Sequence, residues 1–291
     1  MIISTSLNKY LSRFSVGNAF AEMKKIGYGA CDYGFTGKHS PLENADLNET
    51  IFKPLGSIKK AADDNGIKVF QTHAQFFASV DNYDENYIAA YVDYTAKQAE
   101  AAEFLGAEYM VVHPVQPYGW SEDKEPERTK VLNVFALKEI LKKTSGFNVK
   151  LALENMPCHA KNVPCSTIKG LLSYTAEAKD ERLKICFDTG HANVAQAHTE
   201  EADSPAKYAE AFGSEIGCLH IHDNSSAKDE HMLPLTPVYG GINWKELMPA
   251  LKKIGYKGTF NAENDFSVRF PAELFLTAEK FQYDLFRNLT D

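Results

Sequence analysis

Cysteine is scarce in this 291-residue sequence, and its placement suggests no chemistry. Cys31, Cys158, Cys165, Cys186 and Cys218 are scattered, odd in number and never in a Cys-x-x-Cys pair. A disulfide framework or a zinc knuckle is therefore excluded, and the five read as small buried hydrophobes. Dense runs of Lys or Arg are also missing, and the formal net charge is -8. Nucleic-acid affinity rests on Lys and Arg contacts to phosphate, so no nucleic-acid partner is expected. No apolar run reaches membrane-spanning length, and Met1-Ile2-Ile3-Ser4-Thr5 carries no basic stretch leading into an apolar one. These absences predict a cytoplasmic protein with no membrane partner. There is no linker rich in Pro, Gly or Ser, no low-complexity tract and no residue-level repeat, so one domain over residues 1–291 is expected.

What is present is 44% hydrophobic and 24% charged, enough apolar matter for a large core. Short apolar, β-branched runs alternate with longer amphipathic stretches along the whole chain, the pattern of a parallel sheet made of βα units. Eight runs stand out, at residues 2–5, 30–33, 67–72, 109–113, 149–154, 184–188, 216–222 and 259–263. The fold class is thus α/β, and eight is the number that closes a (β/α)8 TIM barrel of about 250 residues. Helical periodicity marks residues 87–105, 129–141, 244–251 and 272–286. Gly27, Gly66, Gly106, Gly146 and Gly255 follow helical stretches and are expected as left-handed helix stops. The longest loops are expected at 157–164 and 224–243.

Polar residues fall at the carboxyl ends of the runs, where active sites of this fold sit. His73, His113, Glu154, Asp188, His220 with His222, and Glu263 each follow hydrophobic residues. A carboxylate or imidazole buried alone there would cost several kcal/mol, roughly, and a shared cation removes that cost. Glu154, Asp188, His220 and Glu263 come from the fifth to eighth runs, so they can converge on one point from neighbouring strand ends. Three carboxylates and one imidazole favour a fairly hard divalent ion such as Mn, Mg or Co, with Zn also compatible. His191, Asp229 and His231 are nearby candidates.

Leu153-Glu154-Asn155-Met156-Pro157, Phe187-Asp188-Thr189-Gly190-His191-Ala192-Asn193, Leu219-His220-Ile221-His222-Asp223-Asn224, Asp229-Glu230-His231, Gly241-Ile242-Asn243-Trp244 and Ala262-Glu263 together resemble the xylose-isomerase-like barrel superfamily. The similarity is greatest to its sugar phosphate isomerase/epimerase group. That resemblance implies one divalent metal ion (Mn, Co, Mg or Zn) on Glu154, Asp188, His220 and Glu263, with Glu154 and Glu263 as the catalytic acid/base pair. It implies a role in carbohydrate metabolism on a small-molecule sugar or sugar phosphate, touched by His191. His73, His113, Asp229 and His231 are assigned with it to the substrate side. A metal bound to a carbonyl and a neighbouring hydroxyl oxygen stabilises the enediolate formed when a carboxylate removes the α-proton. Free-ketose 3-epimerases carry a glutamate and an arginine where this sequence has Ala160 and Ser226, which argues against that one activity. Pairing through the helical shell into a homo-oligomer is a further expectation.

The same superfamily contains apurinic endonucleases of the endonuclease IV type, which bind three zinc ions through nine residues. His73, His113, Glu154, Asp188, His191, His220, Asp229, His231 and Glu263 match all nine by type. The acidic charge and the lack of a basic loop set weigh against it. A non-catalytic sugar-binding barrel is the third reading, because fold alone does not fix function. His222 is expected to serve structure, on the other side of its strand from His220. His39, His159 and His198 read as ordinary surface histidines. Phe76, Phe77, Tyr118, Trp120 and Phe266 are aromatic candidates for walls of a sugar site.

Overall fold

The computed structural model describes residues 1–36, 40–43, 46–77, 84–117 and 121–291. His39, Tyr118 and Trp120 lie outside these residues. Among the described residues eight strands form one sheet: β1 (Ile2–Ser6), β2 (Ala30–Gly34), β3 (Lys68–His73), β4 (Tyr109–Val112), β5 (Lys150–Glu154), β6 (Leu183–Asp188), β7 (Ile216–His220) and β8 (Thr259–Ala262). Every ladder is parallel, in the order β8-β1-β2-β3-β4-β5-β6-β7. The ring closes through a single parallel bridge, Ile221 to Ala262, with Ile221 N donating to Asn261 O at 2.8 Å and Glu263 N to Ile221 O at 3.1 Å.

Among the described residues ten α-helices accompany the strands: α1 (Leu7–Leu11), α2 (Val16–Ile26), α3 (Leu55–Asn65), α4 (Glu85–Leu105), α5 (Pro126–Lys143), α6 (Ile168–Ala178), α7 (Thr189–His198), α8 (Pro205–Phe212), α9 (Trp244–Lys253) and α10 (Ala272–Thr290). Their apolar stripes pack on the outer face of the sheet, where Phe20, Phe187, Phe212, Phe260, Phe275 and Phe286 are fully buried. Each expected strand overlaps an observed one, and the four periodic stretches lie within α4, α5, α9 and α10. Gly27, Gly66, Gly106 and Gly255 take positive φ as expected, but Gly146 does not. Instead α5 ends at Thr144, whose hydroxyl donates back to Ile140 O at 2.9 Å and satisfies a carbonyl left free at the helix end.

The barrel interior is divided. Ala30, Phe70, Val111, Ala152, Cys186 and Cys218 form a small apolar cluster inside the ring. On the β8-β1-β2-β3 side the buried interior is polar: Ser4 donates to Asn261 Oδ1 at 2.9 Å, and Gln71 and Asn261 donate to Asp32 Oδ2 at 3.3 and 3.4 Å. Among the described residues no helix is long and apolar enough to cross a membrane.

Candidate metal centre

Glu154 and Asp188 are the last residues of β5 and β6, His220 is the last of β7, and Glu263 follows β8. Side chains at these positions point into the mouth of the barrel, and the four bring one ligand atom each to within 4.8 Å of one another. His220 Nδ1 lies 3.1 Å from Glu154 Oε1, 2.6 Å from Glu263 Oε2 and 4.0 Å from Asp188 Oδ2. The opposite ring nitrogen, Nε2, is 3.6 Å from Asp32 Oδ2. Asp32 is therefore the outer partner that orients the imidazole, as carboxylates behind metal-binding histidines do. It was not singled out in the sequence, although a charged residue inside the apolar run Ala30-Cys31-Asp32-Tyr33 is a visible signal.

Glu154 Oε2, Asp188 Oδ2 and Glu263 Oε2 are buried with no hydrogen-bond partner. Buried polar atoms are normally bonded, so a cluster of orphans is where an ion fits. The donor set, three carboxylates and an imidazole, suits a divalent cation.

Two further groups adjoin this one. His73, His113 and Glu154 form the first: His113 Nε2 is 2.9 Å from Glu154 Oε2, and His73 Nε2 lies 3.7 Å from Glu154 Oε2 and 3.8 Å from Glu263 Oε1. His191, His222, Asp229 and His231 form the second. There His191 Nε2 and His231 Nε2 each approach Asp229 Oδ2 at 3.2 Å, while His222 Nε2 is 3.0 Å from Asp188 Oδ1 and 3.7 Å from Asp229 Oδ1. All nine sequence candidates are thus brought together. His222 corrects the sequence reading: residues two apart on extended chain share a face, so it points into the mouth with His220 rather than away from it.

The motifs interlock, which is why they occur together. Asn155 holds the end of β6, accepting from Asp188 N at 2.8 Å and donating to Asp188 O at 2.9 Å. Asp188 caps α7 by accepting from His191 N at 2.6 Å. Thr189 donates to His222 O at 2.9 Å, and Asn224 to Gly190 O at 2.8 Å. At Gly190 a Cβ would lie 1.9 Å from His222 Cε1, so only glycine lets that ring pass.

Charge in the mouth is self-compensating. Burial raises the pKa of Glu154, but His220 and His113 outweigh it and hold the carboxyl well below its usual range. Burial disfavours charge on His220, yet Glu263 and Glu154 lift it well above an ordinary histidine. His191 is raised likewise by Asp188 and Asp229 against burial. His231, opposed by burial but bonded to Asp229 and near Glu263, rises to about 9. For His113 burial wins and lowers the pKa.

Phe76 packs on the His113 ring with centroids 4.4 Å apart. Phe77 is buried against Tyr94, and Phe266 packs on Phe270 and Phe281. His159 and His198 stand edge to face at 5.6 Å in a groove of ≈ 850 Å³ lined by residues 158–167, outside the ligand groups.

Residues 20–274 match the family model described as xylose isomerase-like TIM barrel. An uncharacterized protein, MJ1311, of Methanocaldococcus jannaschii is 35% identical over 171 residues, 57% of this chain and 53% of that one. A probable endonuclease 4 of Metamycoplasma arthritidis is 25% identical over 166 residues, 55% of this chain and 57% of that protein. The chain thus spans little more than half the length of these curated relatives. Among solved structures, a D-tagatose 3-epimerase-like protein superposes with a TM-score of 0.72 at 23% identity over 100% of both chains. A D-psicose 3-epimerase with D-tagatose from Clostridium cellulolyticum H10 gives 0.75 at 16% identity over 100% of both. IolI protein with a binding zinc atom gives 0.74 at 18%, over 100% of this chain and 98% of that one. At these identities the structures share the fold, and with the family model covering most of its length, this chain belongs to the xylose isomerase-like TIM barrel family.

Proposed function

We propose that this chain, as a single domain over residues 1–291, is a divalent-metal-dependent isomerase or epimerase of a small sugar or sugar phosphate. The observation that carries the reading is the pair of glutamates, Glu154 and Glu263, at 3.1 and 2.6 Å from His220 Nδ1 in one four-residue ligand group. A bound divalent ion supplies the Lewis acidity that makes a carbon next to a substrate carbonyl acidic.

The protein's own groups do the rest. Glu154 is 1% exposed and fixed from behind by His113, while Glu263 is 25% exposed and faces the opening. One carboxylate removes the proton and the other delivers one, and their different exposure gives them different access to the substrate's two faces. His73, 21% exposed and between the two, is placed to hold a substrate hydroxyl. Phe76 offers an apolar face to the sugar ring's C–H edge.

The test is proton exchange. The protein loaded with Mn, Co, Mg or Zn is incubated in D2O with ketoses, aldoses and their phosphates, and deuterium at the carbon next to the carbonyl is read by NMR. Glu154→Gln and Glu263→Gln are each expected to slow exchange by about 10²–10⁴-fold, the usual contribution of a positioned acid or base. His198→Ala, remote from the ligand groups, is expected to exchange like the parent. Exchange at the parental rate in both glutamine variants would overturn the assignment.

One observation favours a second reading. Three of the five residue groups divide the candidates as a trinuclear phosphodiester hydrolase would use them, with Glu154 shared between two of those three. Three zinc ions per chain together with metal-dependent cleavage of duplex DNA at abasic sites would make an endonuclease the leading function. One ion per chain and inert abasic DNA support the sugar enzyme.

A further inference from the structure

Glu154 and His220 belong to one more grouping, on which neither function draws. Cys186 on β6 brings its thiol to within 4.8 Å of a ligand atom from each of them. All three side chains are buried, Cys186 and His220 fully. In register Cys186 stands beside Glu154 on one flank and Cys218 on the other. The two cysteines are also part of the apolar cluster inside the ring, with Ala30, Phe70, Val111 and Ala152. Glu154 Oε2 is buried with no hydrogen-bond partner.

We propose that Cys186, Glu154 and His220 form a second, deeper ion position, selective for strongly thiophilic divalent ions of the cadmium kind, in competition with the four-ligand position. Sulfur, nitrogen and one carboxylate make a softer set than three carboxylates and an imidazole, and thiolate ligands select soft ions where carboxylates suit Mg and Mn. An ion entering there replaces the thiol proton, which leaves to solvent. It also draws Glu154 and His220 away from Asp188 and Glu263. Cadmium is then an inhibitor of the metal-loaded protein, and Mg or Mn does not occupy the deeper position.

The inference rests on Glu154 and His220 being metal ligands but not on the sugar chemistry. Metal-free protein is titrated with Cd2+ and, separately, with Mn2+. Cd2+ is followed by the ultraviolet thiolate-to-cadmium charge-transfer band, and Mn2+ by the electron paramagnetic resonance signal of the free ion. The expected result is a cadmium–sulfur band in the parent that is lost in Cys186→Ser and kept in Cys158→Ser. Cd2+ should displace Mn2+ from the parent, and about tenfold or more Cd2+ should be needed in Cys186→Ser. Mn2+ displaced by Cd2+ with no sulfur band in the parent would overturn the deeper position while leaving the four-ligand centre intact. A band with no binding of Mn2+, Co2+, Mg2+ or Zn2+ at the four-ligand position would keep the deeper position and sink the proposed enzyme reading. Binding of none of these ions, Cd2+ included, would end both. If Cys186→Ser fails to fold, the presence or absence of the band in the parent decides.

Discussion

Burial alone would strip the protons from His220, His191 and His231, yet their carboxylate neighbours keep all three charged above the usual histidine range, His231 to about 9. In the metal-free protein those protons stand where a cation belongs. A raised pKa means the proton stays bound through neutrality, and an entering ion has to expel it. Metal affinity is therefore expected to keep rising with pH beyond the ~6.5 at which an unperturbed histidine is already half neutral. Calorimetry of Mn2+ or Zn2+ binding in buffers of different ionisation enthalpy should report proton release at pH 7.5–8, roughly one unit or more above that value. Heats independent of the buffer would refute it. At this scale the four strand-end residues were legible because each follows its own apolar run in the sequence. Asp32 was not, since its task is to face His220, about 190 residues away in the chain.

Among the elements, the segment after β7 depends on one carboxylate. Asp223 pairs antiparallel with Met232 through its backbone, at 2.8 and 2.7 Å. Its side chain accepts from Trp244 Nε1 at 2.7 Å, Ile242 N at 2.9 Å and Leu235 N at 3.2 Å. Hydrogen bonds to a buried carboxylate hold the two ends of the loop and so set where Asp229 and His231 stand. Asp223→Ala leaves these donors unsatisfied, and a loss of about 3 kcal/mol in unfolding free energy is expected from denaturant titration. Substrate KM should rise more than kcat falls, since Glu154 and Glu263 are held by strands rather than by this loop. Unchanged stability would show that water replaces the carboxylate without cost. The position of this loop was readable from the interval between two apolar runs, but its internal fastening was not. The motif Gly241-Ile242-Asn243-Trp244 names the donors without naming the acceptor. Gly146 shows the converse: a glycine after a helix predicts a left-handed stop, but the Thr144 side chain supplied a different ending.

For the whole molecule, the eightfold alternation of runs carried the barrel, because a strand's run and a helix's stripe are both written locally. Where the ring meets itself was not written in any run. Seven of its eight junctions are ladders and the eighth, between β7 and β8, is the single bridge at Ile221 and Ala262. His220 and Glu263 stand beside that bridge on opposite sides of it. Amide hydrogen exchange in residues 219–223 and 261–265 is therefore expected to slow on metal loading, and far more than in the β3–β4 ladder. Equal protection in both places would refute it. The barrel is in this sense a split hoop, and a cation held by His220 and Glu263 would be the clasp that fastens its two free ends. Loss of that cation would then loosen the hoop at the proposed site, so that the emptied protein would breathe open at its own mouth and take up a new ion through the gap.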